Sequence, residues 1–341
     1  MSETRPRVTI CVPTYNAEAT LAATLDSILA QSYRDLRILV VDNLSADQTL
    51  GVAHAHAARD GRIEVVCNER NLGGEGNFNR CIELASGDYT AIYHSDDIYE
   101  PEMVARSVAA LDADSSLGAV FTAARLIDEN GAACGDYYIP ASVFAGGDAV
   151  LDFPAALRTV LQFGNIFITP TAMMPTDVWK ALGGFQGEQF KTSSDLDVWL
   201  RLMKSGRKVR ILREALINYR VSRHSYSFNL KRMRLGPHDI LLVLDLHFSE
   251  NRAWLGPRDV RNHRFYHFKD AANRAINHII VNDAGQGRAL ILQNLSPAIF
   301  RAAMQSREQA KYLAVGLATL ALTFLCRSES CREWLRCRRF G

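Results

Sequence analysis

The first half of the chain alternates between short apolar runs and amphipathic stretches. Val8–Val12, Arg37–Val41, Ile63–Cys67 and Tyr89–Tyr93 are strand-length runs dominated by apolar residues. Residues 19–31, 49–58 and 77–85 between them read as helices. In the first of these, Leu21, Leu25, Ile28 and Leu29 share one face. The Arg37–Val41 run has the near-continuous apolar character of a strand buried on both faces of a parallel sheet. A βαβαβαβ order predicts a parallel sheet with helices on both sides. Farther along, 98–111 and 148–162 read as helices. Leu117–Ile127 reads as a strand ending in a turn at Glu129-Asn130-Gly131. The segment 163–175 is apolar and β-like, Ser194–Lys204 is an amphipathic helix, and Lys208–Leu212 and Leu216–Val221 are the last strands expected. Beyond about residue 228 the pattern is helical and basic. The division expected is an α/β domain over 1–228 and a helical extension over 229–341.

Composition narrows the class. The chain has 341 residues, 48% hydrophobic and 22% charged, which is globular rather than disordered. Its net charge of +2 hides an asymmetry: residues 1–229 carry −7 and residues 230–341 carry +9. A basic final third suits an anionic partner. It lacks aromatics interleaved on strands and any nucleic-acid motif, so no nucleic acid is expected and a membrane surface is the simpler partner. The N-terminus has no apolar signal core, which predicts a cytoplasmic chain. The seven cysteines are scattered without zinc-type pairs, so reduced thiols are expected. Tyr312–Cys326 is uncharged over 15 residues, shorter than the roughly 20 of a simple membrane span. Arg327, Arg332, Arg336, Arg338 and Arg339 follow, with Trp334 and Phe340 among them. Two readings stand: a segment (312–340) lying peripherally on the inner face of the cytoplasmic membrane, or a buried helix with a solvated basic tail.

Four segments carry candidate chemistry. Tyr89–Asp97 is an apolar strand that delivers Asp96 and Asp97 to its C-terminal edge, where an open α/β sheet presents a divalent metal to a phosphorylated ligand. Pro13, Thr14, Tyr15 and Asn16 form a turn after the first strand, with Tyr15 able to cover a base or sugar face. Asp42 closes the second strand as a ligand contact, whereas Asp47 lies in a turn and N-cap. Asn71 to Asn79 is glycine-rich ahead of a helix, and backbone N–H groups at such a start suit an anion.

In this order and spacing, VPTYN, VVDN-LSADQT, NLGG-EGNFNRCIELASGDY and the HSDD strand end resemble family 2 glycosyltransferases of the GT-A fold. Gly183-Gly184-Phe185 and Ser194-Asp195-Leu196-Asp197-Val198-Trp199-Leu200-Arg201-Leu202 resemble the same family's later motif. The resemblance covers roughly residues 7–225. It implies a mostly parallel GT-A sheet and an inverting transfer from a nucleotide-sugar donor, a UDP-sugar first among candidates. The acceptor it implies is a hydroxyl of a glycan or lipid-linked molecule in cell-surface polysaccharide synthesis. Pro13, Thr14, Tyr15, Asn16, Asp42, Asn71 and Gly73 would line the donor site, with Asp97 assisting. Asp96, His94 and His224 would hold Mg2+ or Mn2+ on the diphosphate, and Asp195 would be the catalytic base. Asp197 is expected to act as a cap or dipole partner. The chain departs from the pattern at His94, Asn43, Ser194 and Phe78, where the family commonly has Asp, Asp, Glu and Arg. The alternatives are a binding protein of the same fold without transferase activity, and a nucleotidyltransferase.

Overall fold

Every residue of Val8–Thr14 is buried, and this run is strand β1 of a ten-stranded sheet. The structure is a computed structural model describing residues 6–221, 233–304, 307–326 and 328–340. It divides into two units: Met1–Ala156 with Asn165–Ser222, and Leu157–Gly164 with Arg223–Gly341.

In the first unit, β1 is followed by α1 (Leu21–Leu29), β2 (Leu36–Asp42), α2 (Thr49–Ala57), β3 (Ile63–Cys67), α3 (Gly73–Leu84) and β4 (Tyr89–Ile92). The order β3-β2-β1-β4 is parallel throughout. Thr14 lies opposite Asp42, so β1 and β2 end together and their polar tips share one edge. Leu21, Leu25 and Ile28 of α1 join Val8, Ile10, Val12, Ile38 and Val40 in one buried cluster. Burial on both faces explains why these strands are apolar at nearly every position. Gly87, ahead of β4, has φ +97°, and a Cβ there would strike the carbonyls of Pro6 and Arg7.

The chain continues through β5 (Ile98–Tyr99), α4 (Met103–Ala113), β6 (Leu117–Ile127), β7 (Ala133–Asp136), β8 (Ala149–Leu151), α5 (Phe153–Phe163), β9 (Met173–Pro175), α6 (Thr176–Ala181), α7 (Gly187–Phe190), α8 (Ser194–Lys204) and β10 (Lys208–Arg220). Beyond β4 the sheet runs β9-β6-β10-β5, with β7 on β6 and β8 on β10. β9 is antiparallel to both β4 and β6, whereas β10 is parallel to β6. The sheet is mixed and mostly parallel, flanked by helices.

Several expectations are corrected. Residues 98–99 form a strand, and the helix expected at 98 begins at Met103. Residues 149–151 pair with β10 before α5 begins. Only 173–175 of the segment 163–175 is strand. The two final strands are one, interrupted by bulges at Leu212, Ala215 and Ile217. α3 begins at Gly73 rather than Asn77, so the glycine-rich run is its first turn.

The second unit is helical: α9 (Ile240–Glu250), α10 (Pro257–Ile280), α11 (Ala284–Asn294), α12 (Pro297–Ala303), α13 (Arg307–Leu325) and α14 (Glu329–Phe340). Phe265, Phe268, Ala275, Ile291, Ile299 and Ala302 form its core, against which Tyr312, Leu313 and Leu320 pack. No helix among the described residues is long and apolar enough to cross a membrane. A disulfide between Cys326 and Cys331 joins the end of α13 to α14, which corrects the expectation of reduced thiols at that pair.

Candidate active site

The tips of β1 and β2 are locked to each other before any ligand is considered. Asp42 is fully buried. One of its oxygens accepts from Thr14 Oγ1 at 3.1 Å and Ser45 Oγ at 2.6 Å, and the other from Ser45 N–H at 2.9 Å. Asn16 Oδ1 accepts from Ala46 N–H at 2.9 Å, and Asn16 N–H donates to Ser45 Oγ. Asn16 and Leu44 both hold positive φ, +49° and +65°. Such backbone persists where surrounding bonds over-determine it. Pro13 stays inside the sheet opposite Val41, while the Tyr15 side chain is exposed above this floor. These bonds hold Asp42 in place within the floor, and Tyr15 is at the open face.

A second set of bonds ties β2 to the glycine-rich turn. Asn43 Nδ2 donates to Asn71 Oδ1 at 2.9 Å and Gly73 O at 3.1 Å. Its Oδ1 accepts from Leu72 N–H at 2.8 Å and Asn68 Nδ2 at 3.1 Å. Gly73 N–H donates to Asn71 Oδ1, and Asn77 Nδ2 donates to Val41 O. The N–H groups of Leu72 and Gly73, which the sequence offered to an anion, are therefore taken by asparagine side chains.

His94, Asp96 and Asp97 present ligand atoms within 4.8 Å of one another. Asp97 is 1% exposed; its Oδ1 accepts from Arg220 N–H at 2.8 Å. Among the described residues, Asp97 Oδ2 and His94 Nε2 are buried atoms without a hydrogen-bond partner. Burial lowers the His94 imidazole, with Asp96 opposing. Burial, then Asp96, raises the Asp97 carboxyl well above the usual range. A divalent cation at this point would relieve both penalties. Two carboxylates and an imidazole with orphaned atoms fit such a cation, and the imidazole favours Mn2+ over Mg2+. The Phe78 ring stacks on His94 at 5.6 Å and 14°. Two departures from the family pattern thus contact each other.

Asp195 opens α8, where the helix dipole favours its ionised form. Its Oδ2 accepts from Thr169 Oγ1 at 2.8 Å and Asn165 Nδ2 at 3.1 Å. Those two donors lie in the stretch expected as strand, which instead folds into a turn that orients the acid. Asp197, two residues on, is in the first turn of α8 as a dipole partner would be, not its cap, and it forms a buried ion pair with Arg201 at 2.6 Å. Arg201 also donates to Leu182 O and to Gly184 O. On the other side, Asn79 Nδ2 donates to Phe185 O and Asn79 Oδ1 accepts from Phe185 N–H. Gly184 has φ +72°, and a Cβ there would collide with the Asn79 amide.

The charges of both acid sets reach Tyr219. Tyr137 and Tyr219 pack edge to face at 6.1 Å. Burial, then the Asp195 charge, pushes the Tyr137 hydroxyl up to about 12. Burial, then Asp97, Asp96, Tyr137 and Asp195, raises Tyr219. Arg220 fixes this corner by donating through Nε to Asp96 O and through Nη1 to the carbonyls of Asp128 and Glu129. Tyr137, Tyr219, Arg220, Asn165 and Thr169 were not singled out from the sequence. Their signal is tertiary, since no local motif marks them. His224 lies outside the described residues. Trp179 and Trp199, at 1% and 0% exposure, are core.

Residues 9–133 match the family described as Glycosyl transferase family 2. A Bacillus subtilis protein, TuaG, provisionally described as a teichuronic acid biosynthesis glycosyltransferase, is 28% identical over 229 residues, 67% of this chain and 84% of its own. Among solved structures, S. aureus TarS (residues 1-349) in complex with UDP is similar at a TM-score of 0.53 and 17% identity, over 98% of this chain and 92% of that one. The mannosyltransferase PcManGT of Pyrobaculum calidifontis, solved with GDP-Man and Mn2+, has a TM-score of 0.52 and 22% identity, over 98% of this chain and 86% of its own.

Proposed function

We infer that this chain, a family 2 glycosyltransferase with the GT-A fold, transfers a sugar from a nucleoside-diphosphate sugar to an acceptor hydroxyl in one inverting displacement. The observation that carries this reading is the presence, within one unit, of a His94–Asp96–Asp97 cluster whose ligand atoms lie within 4.8 Å of one another and of an Asp195 carboxylate oriented by Asn165 and Thr169. A transferase needs a base beside the acceptor and a charge-neutralising group beside the leaving diphosphate, on either side of one reacting carbon. Asp195, oriented by Asn165 and Thr169, takes the hydroxyl proton as the new bond forms. His94, Asp96 and Asp97 would hold a divalent metal, Mn2+ before Mg2+, whose charge would neutralise the departing diphosphate. Tyr15 covers the nucleoside above the floor braced by Asp42.

The donor is a UDP-sugar first and a GDP-sugar second, in line with the ligands of TarS and PcManGT. The acceptor is a cell-surface polysaccharide or its lipid-linked precursor, in line with the name of TuaG. The test is an Asp195→Asn variant assayed for donor binding by thermal shift with Mn2+ or EDTA, and for transfer. Transfer should fall by about 10²–10⁴-fold, the usual weight of a general base. Donor binding should stay near that of the parent and should require metal. Parallel loss of binding and transfer would assign Asp195 to the donor pocket or the fold instead.

A further inference from the structure

The helical unit holds a second convergence of metal-type side chains, which the transferase reading leaves unused. His263 and His267 lie one turn apart on α10, so they share a face. Asp245 stands opposite on α9. The Nε2 atoms of both imidazoles lie 2.7 Å from the same carboxylate oxygen, Asp245 Oδ1. The three ligand atoms fall within 4.8 Å of one another. The His263 ring stacks face to face on Phe248 at 4.0 Å and 1°, and the two imidazoles meet edge to face at 4.8 Å. Helix α9 therefore supplies both the carboxylate and the ring that fixes one imidazole.

We propose that Asp245, His263 and His267 bind a divalent cation of the Zn2+ type, clipping α9 to α10. Two imidazole nitrogens and a carboxylate oxygen are a borderline donor set, which suits Zn2+ better than Mg2+ or Ca2+. An imidazole that carries its proton on Nδ1 turns a lone pair at Nε2 toward the point the carboxylate already occupies. Metal–ligand bonds near 2.0–2.1 Å in a tetrahedral set require nitrogen–oxygen edges of about 3.3 Å. The present 2.7 Å edges open to that value by rotation of the Asp245 side chain, which is 48% exposed. Exposure rises from His263 at 14% to His267 at 32% and Asp245 at 48%. The open side faces solvent, which gives the ion a way in and a water for its fourth position. Without an ion, the two imidazoles hold the Asp245 carboxyl well below its usual range, overcoming the opposing effect of burial.

The test uses the full-length chain stripped with EDTA and titrated with Zn2+, with binding followed by calorimetry and melting temperature. The parent should bind Zn2+ and melt at a higher temperature in its presence, by mass action. The Asp96→Asn variant should keep this rise, which separates the site from the donor-side metal. The His263→Gln/His267→Gln double variant should bind one fewer equivalent and lose the rise. Co2+ substitution should give visible absorption of a four-coordinate nitrogen and oxygen site in the parent and not in the double variant. Should the double variant melt poorly without metal, Asp245→Asn decides. It retains an oxygen for both imidazoles but loses the charge, so its Zn2+ affinity should fall at least tenfold. Unchanged stoichiometry and affinity in these variants, or no Zn2+ bound by the parent, overturns the proposal.

Discussion

Asn43 uses both ends of its amide, and a carboxylate could not replace it. It donates to Asn71 Oδ1 and Gly73 O, and accepts from Leu72 N–H and Asn68 Nδ2. An aspartate, the residue common in the family here, accepts only. In Asn43→Asp, a negative oxygen would face two carbonyl-type oxygens at a site 3% exposed. Loss of these bonds in a buried place costs about 1–3 kcal/mol. The variant should melt lower, and its donor Kd should rise because the glycine-rich turn loses its tie to β2. A variant as stable as the parent would show that the amide bridge carries little. In the sequence, Asn43 reads only as a missing acid. Its partners sit 25 to 30 positions away and are set by how β2 meets the turn, which no local pattern reveals. A separation of 16 positions likewise hides the stacking of Phe78 on His94. The acids themselves were legible, because Asp42, Asp96 and Asp195 mark the ends of strongly patterned elements. Which of them could brace, ligate a metal or act as a base depends on neighbours that only the fold supplies.

At the scale of elements, α8 presents acids on two sides. Asp195 turns to the site, and Asp197 turns inward to Arg201, which clamps the carbonyls of Leu182 and Gly184. Arg201→Met would take the 2.6 Å cation partner from the buried Asp197 carboxylate. Losing the cation partner of a buried charge is strongly destabilising, so the melting temperature should fall. Adding Asp197→Asn should recover part of that loss by removing the charge. Full recovery is not expected, because the two carbonyls still lack their donor. If the single variant melts like the parent, the clamp is not what holds the Gly183–Phe185 turn. The sequence shows α8 clearly, since its apolar residues recur at helical spacing. It likewise shows β1, β2 and β4, whose runs are apolar because both faces are covered, and the edge strand β3, of which only Ile63 is buried. It misreads β10 as two strands for a physical reason. Arg213 and Glu214 look like a break, but the bulges there let the strand continue. Glu214 turns out to pair with Arg106, and Arg213 N–H bonds to Asp148. The strand β9 is read too long, as 163–175, because its three residues are specified by their neighbours β4 and β6 rather than by a change in composition.

At the scale of the whole molecule, the charge asymmetry and the apolar 312–326 run belong to the helical unit. Helix α13 has a packed side and an exposed apolar side. Tyr312, Leu313 and Leu320 pack on Phe265 and Phe268, and Gly316 lets the helix approach the Phe268 ring. Leu317, Phe324 and Leu325 remain exposed, at 39%, 49% and 76%. Trp334 on α14 is 55% exposed among Arg332, Arg336 and Arg338. Exposed apolar side chains beside clustered arginines suit peripheral contact with an anionic lipid surface. Deleting residues 306–341 would test this badly, because it would also strip the cover from Phe268. Leu325→Glu/Trp334→Glu touches only exposed positions and should leave the melting temperature unchanged. The parent should sediment with anionic vesicles at low salt and be released as salt shortens the screening length to about 8–10 Å. The double variant should remain in the supernatant. A parent chain that stays in the supernatant at low salt would remove membrane contact from the account, and the +9 of residues 230–341 would then be solvated charge.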